Sequence, residues 1–208
     1  MNRKKNVGIT SCLDATGRSH YNMCEIFVRF AIVLYLIRII VSIINIIYAG
    51  IQSDAGITVE GEHHVFDMLI GIGRLGPDYL PADVPIINDK VLCIGFMLTA
   101  LAVDFIPMLL VLDYIRKILK AIQNSHSPFI PEAAIYIKKA GKILILLGAF
   151  GKIAMKTAVQ LLACRSVYSL GIPDDLQLPL IFAGVLVLLV SDIFRRGCEL
   201  QQFSDETL

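Results

Sequence analysis

Residues Glu25–Ile51 read EIFVRFAIVLYLIRIIVSIINIIYAGI. From Phe30 to Ile51 the stretch holds one charge, Arg38, and apolar residues fall on every face of the helix it would form. A helix on the surface of a soluble bundle keeps a polar stripe opposite its apolar one. No such stripe runs here, so the segment is predicted to lie in lipid, where about 20 residues cross ~30 Å of hydrocarbon.

Three further stretches read the same way: Val91–Leu112, Ile143–Cys164 and Leu176–Phe194. The expected fold is an all-α membrane protein, one membrane domain over 1–208 with transmembrane helices at about 25–51, 91–112, 143–164 and 176–194. Composition agrees. Hydrophobic residues make up 56% and charged residues 18%, with a mean hydropathy of +0.69, where soluble domains carry about a quarter charged residues. The first apolar run is too long for the core of a cleaved signal peptide and lacks a small-residue cleavage site, so it is expected to stay as an anchor.

Lys and Arg decide the orientation. Arg3, Lys4, Lys5 and Arg18 precede the first span. Arg116, Lys117, Lys120, Lys138, Lys139 and Lys142 lie between the second and third, and Arg195 and Arg196 follow the fourth. The opposite connections hold only Arg74, Lys90 and Arg165. The basic segments 1–24, 113–142 and 195–208 are therefore expected in the cytoplasm with both termini, and 52–90 and 165–175 outside. The longer outer loop is acidic, and its run VFDMLIGI (Val65–Ile72) is too short to span and is expected to form a short interfacial helix.

The segment between spans two and three reads as a helical hairpin. In Tyr114–Asn124, Ile115, Ile118, Leu119 and Ile122 fall on one helical face, with Arg116, Lys117 and Lys120 around the other. Such a segment prolongs the span or rests on the anionic inner leaflet. Pro128 disfavours helix at the residue before it. Pro131 suits a first helical position, with Glu132 near the positive end of the new helix.

Three features in order carry a family resemblance: the Ser127-Pro128-Phe129 turn, Lys138-Lys139-Ala140-Gly141 at the start of span three, and the tail IFRRGCELQQFSDETL (Ile193–Leu208). Together they resemble domain-of-unknown-function family 2975, small four-span membrane proteins of bacteria. Gly197, Leu200, Asp205, Thr207 and Leu208 match the family's tail pattern, whereas Gln202-Phe203 stands where that pattern has glutamates. The resemblance implies a bacterial plasma-membrane location and, because such genes often stand beside small helix-turn-helix regulators, a cytoplasmic regulatory partner. It implies no activity.

Charges inside the spans are the candidate functional residues. Each costs roughly 2.5–3.5 kcal/mol at a helix centre and so calls for a partner or a wet cavity. Counted from the span ends, Arg38, Asp104 and Lys152 come near the midplane, and the expectation is that they meet as a charge cluster inside the bundle. The competing reading is that the cluster only holds helices together, with Lys156 and Asp192 snorkelling to the surfaces. Lys156 shares a helical face with Lys152, and Asp192 is expected within reach of Lys142 or Arg29.

Other motifs are weaker. His63 and His64, near Glu60, Glu62 and Asp67, carry metal-ligating groups, but their spacing matches no compact site, and no metal or other cofactor is expected. Gly71-Ile-Gly73-Arg-Leu-Gly76 fits G-x-G-x-x-G, yet Pro77 follows at once and no βαβ unit surrounds it, so it reads as a turn. Neither a nucleophile–base motif nor a zincin or P-loop is present. Cys12, Cys24, Cys93, Cys164 and Cys198 are scattered, which argues against a zinc site or disulfide framework. Two functions remain: a regulatory or interaction protein of the membrane, or a small solute, ion or proton transporter or channel subunit using the intramembrane charges. Neither calls for direct nucleic-acid binding, and Gly148, Gly151 and Gly184 suit the close helix contacts of a homo-oligomer.

Overall fold

The computed structural model describes residues 5–52, 57–124, 130–167 and 174–206, with side chains from residue 22 onward except 124, 204 and 205. The elements are α1 (Lys5–Ile51), the strands β1 (Ile57–Glu60), β2 (His63–Asp67) and β3 (Ile72–Leu75), then α2 (Asp89–Ala100), a π-helical turn (Leu101–Phe105), α3 (Ile106–Asn124), α4 (Pro131–Cys164) and α5 (Leu178–Glu206). Four helical stretches, 22–51, 89–123, 131–164 and 178–203, are long and apolar enough to cross a membrane. The fourth helix begins at Leu178, two residues later than the sequence suggested.

Local chemistry accounts for the helix ends. Asn88 caps α2 by accepting the Val91 N–H at 3.0 Å. Pro131 opens α4 with Glu132 in its first turn. Arg165 closes α4 in the left-handed region at φ 55°, its N–H bonded to the Leu161 carbonyl. The π turn has its own cause in Pro107, which has no N–H to donate to the carbonyl of Val103 four residues back. The ladder shifts by one residue, so that Ile106 donates to Leu101.

Helix α4 is central, packing on α2, α3 and α5, while α1 packs on α2 and α3. Small residues bring α4 and α5 together: a Cβ on Gly184 would lie 2.9 Å from the Gly141 carbonyl oxygen and 2.7 Å from Ile145. Ser191 adds a hydrogen bond to the Ala134 carbonyl at 2.9 Å.

The expected interfacial helix at Val65–Ile72 is instead a β-hairpin. β1, β2 and β3 form an antiparallel meander in that order, with Val65 opposite Thr58 and Arg74, and Phe66 opposite Ile57 and Gly73. Gly71 turns the chain at φ 95°, a conformation that ends a helix. Long-range burial then decides for the sheet. Phe66, Leu75 and Leu80 are fully buried against Leu92, Cys93 and Met97 of α2 and Val159 and Ala163 of α4, and Phe66 meets Phe96 edge-on at 5.8 Å. This is the main apolar core.

Candidate functional site

Asn45 ties the sheet to α1. Its Nδ2 donates to the Ile70 carbonyl at 3.2 Å and its Oδ1 accepts the Ile70 N–H at 3.1 Å, so one buried side chain satisfies both backbone groups at the hairpin tip. Asn45 stands six residues before the end of α1, about 9 Å along the axis. The hairpin therefore descends along the helices rather than standing above them.

Below this tip a cavity of about 550 Å³ opens between α1 and α4. Tyr35, Arg38 and Ser42 of α1 form one wall, Gly151 and Lys152 of α4 the other, and Val103, Asp104 and Phe105 of the π turn lie between them. Arg74 of β3 and Tyr79 contribute from the sheet side, and Gln177 and Leu180 from the start of α5. The π turn matters here because its extra residue per turn rotates Asp104, which lines the cavity, relative to a regular helix.

Arg38, Asp104 and Lys152 thus line one cavity but form no ion pair with one another. The Arg38 guanidinium lies over the Phe105 ring, 4.5 Å from its centroid. Asp104 lines the cavity, is exposed, and has no ion-pair partner among the described residues. Lys152 is drawn the other way: its Nζ lies 3.7 Å from Asp175, 4.0 Å from Asp78 and 3.3 Å from the Asp174 carbonyl.

Lys156, expected to snorkel, is buried at 8% exposure and bound by both oxygens of Asp175, at 3.2 and 3.3 Å. Asp175 is itself 1% exposed, so these are desolvated charges. Sequence reading missed Asp175 and Asp78 as partners of the lysines. The Asp174-Asp175 pair at the start of the fourth apolar run was the available clue, because two lysines four residues apart within a span require carboxylates from elsewhere.

Asp192 is exposed on α5 and, among the described residues, pairs with neither Lys142 nor Arg29. Gly197 and Leu200 lie on the last turns of α5, Leu200 being exposed. The Asp205 side chain and Thr207 lie outside the described residues. His63 and His64 alternate across β2. His63 is exposed, whereas His64 is buried with Nε2 3.1 Å from the Pro81 carbonyl, so the two rings face apart. Among the described residues no three metal-ligating side chains converge. No family model matches the chain, and no curated protein or solved structure matches it.

Proposed function

We propose that this chain is a multi-pass protein of the bacterial plasma membrane, with both termini in the cytoplasm, that binds a small polar ligand in the cavity at Arg38, Asp104 and Lys152. Its role is regulatory: occupancy of the cavity biases the helices and is read by a partner at the cytoplasmic ends. One observation carries the reading. Opposite charges on α1 and the π turn face one cavity and leave each other unpaired, whereas a purely structural cluster would be satisfied internally.

The basic bias of 1–24, 113–142 and 195–208 supports the orientation. In that frame α3 and α4 form the cytoplasmic hairpin, supported by the stacking of Tyr114 on Tyr136 at 6.0 Å, with Lys117 5.6 Å from the Tyr114 ring centroid. Exposed Lys117, Lys120, Lys138, Lys139 and Lys142 suit the anionic inner leaflet or an acidic partner surface. The resemblance of the tail to family 2975 supports a bacterial source and a small helix-turn-helix regulator as that partner, without direct nucleic-acid binding by this chain and without a catalytic role.

A second reading is transport. The π turn beside the cavity, and an α5 that starts partway along α4, are the helix irregularities expected at a transported solute's site. Melting of the purified chain against a panel of charged small solutes tests ligand binding. At least one is expected to raise the wild-type melting temperature and leave the Arg38→Gln/Asp104→Asn double variant unmoved. Equal behaviour of the two proteins towards every solute would remove the proposal, and flux into proteoliposomes would move it from regulation to transport.

A further inference from the structure

The charges that the protein leaves unpaired describe the ligand that completes them. Lys152 and Lys156 are met by Asp78 and Asp175, two cations against two anions. Three other charged groups line the same cavity: Arg38, Arg74 and Asp104. Among the described residues none of these three forms an ion pair. The Arg38 guanidinium carbon lies 4.5 Å from the Phe105 ring centroid, a contact with a ring rather than with a carboxylate, and its donors suit an added acceptor.

A simple anion would satisfy the two guanidinium groups and set a like charge near Asp104. A simple amine would do the reverse. Only a ligand carrying both signs matches the set. Two guanidinium groups offer more donors than one carboxylate accepts well, and they suit the several oxygens of a phosphate. The volume of about 550 Å³ is right for a small molecule or a lipid headgroup.

Building on the reading of the cavity as a ligand site, we infer that its ligand is a phosphate bearing an ammonium group, with the phosphate at Arg38 and Arg74 and the ammonium at Asp104. Two sources share this chemistry, a free aminoalkyl phosphate and the headgroup of an ethanolamine phospholipid.

Isothermal titration of the full chain in detergent, with O-phosphoethanolamine, inorganic phosphate and ethylamine as probes, tests the inference. O-phosphoethanolamine is expected to bind at least tenfold more tightly than either of the others, because it alone makes both charge-assisted contacts. Asp104→Asn should bring its advantage over inorganic phosphate close to one, Asp104→Glu should preserve it, and Arg38→Gln should weaken both phosphates. If the lipid headgroup is the source, nanodiscs of phosphatidylethanolamine will raise the wild-type melting temperature over those of phosphatidylglycerol, and Asp104→Asn will abolish the difference. Inorganic phosphate or ethylamine binding as tightly as O-phosphoethanolamine overturns the zwitterion and leaves the ligand site standing. No saturable binding of any probe, with equal melting in the two nanodiscs, overturns the inference, while the ligand-site reading stands or falls on the solute panel.

Discussion

The backbone N–H of Gln177 donates to the carbonyl of Gly148 at 2.9 Å, so α5 starts against the middle of α4 rather than at its end. About 16 residues of α4 continue past this point, some 24 Å. That half of α4 packs instead on the sheet and the loop after it: Gln160 donates to the Tyr79 carbonyl at 3.2 Å, and Ile87 to the Ala163 carbonyl at 2.9 Å. The molecule is therefore two stacked halves, one of four helices and one of three helices with a meander, and the polar cavity lies at their junction.

The packing of α5 on α4 depends on glycine. A Cβ on Gly184 would meet the Ile145 side chain at 2.7 Å and the Gly141 carbonyl oxygen and Ile145 nitrogen at 2.9 Å, and the two backbone contacts cannot be relieved by a rotamer change. Gly184→Leu is expected to push α5 off α4 and cost on the order of 1–3 kcal/mol or more. A lower melting temperature in detergent, with loss of the Ser191–Ala134 hydrogen bond, is the predicted result. Unchanged melting would mean that the two helices do not approach this closely.

The four long apolar helices could be read from composition because their apolar residues fall on most sides, and α1 keeps Phe27, Phe30, Ile40 and Ile47 largely exposed. Equal rise per residue also brings Arg38, Asp104 and Lys152 to similar depth. Their actual partners were illegible, because Phe105 and Asp175 compete for Arg38 and Lys152 through contacts set by tertiary packing. The meander was hidden for a related reason. HHVFD and IGRL are five- and four-residue strands whose burial depends on α2 and α4, and nothing local distinguishes them from a short apolar helix.

Asn45 is expected to hold the hairpin tip in place. Asn45→Leu keeps the branched shape but leaves the N–H and carbonyl of Ile70 without this partner, at a cost below the ~1–3 kcal/mol of a fully buried group because Ile70 is half exposed. Hydrogen exchange at residues 68–71 should accelerate in the variant while α5 stays protected. Exchange unchanged at the tip would show that water or lipid, not Asn45, satisfies these groups.

The hydrogen bonds that Lys156 makes to Asp175 fasten the start of α5 to α4. Removing Asp175 strands the buried Lys156, so Asp175→Asn alone should cost about 3–5 kcal/mol, and Lys156→Met less, because Lys152 still lies 3.7 Å from Asp175. The double variant should recover part of that loss, because it removes both charges. A double-mutant cycle by chemical or thermal melting measures the coupling. Additive losses would indicate that water screens the pair. Full recovery would show that the pair fixes the position of α5 without adding stability.

Orientation can be tested independently of ligand and stability. In the proposed topology α5 carries Arg195 and Arg196 into the cytoplasm and Lys90 lies at the outer end of α2, where its Nζ caps the Gly50 and Gln52 carbonyls of α1 at 2.6 and 2.9 Å. Green fluorescent protein fused after Leu208 should fluoresce in a bacterial host, and alkaline phosphatase at the same point should stay inactive. Exchanging the charge bias, by neutralising Lys117, Lys120, Lys138, Lys139 and Lys142 together, should weaken that result and yield a mixed population, since these five lie within about 15–20 residues of the span ends. An exported, active phosphatase on the unaltered chain would invert every helix, and with it place the basic hairpin outside and the cavity's sheet-covered side in the cytoplasm.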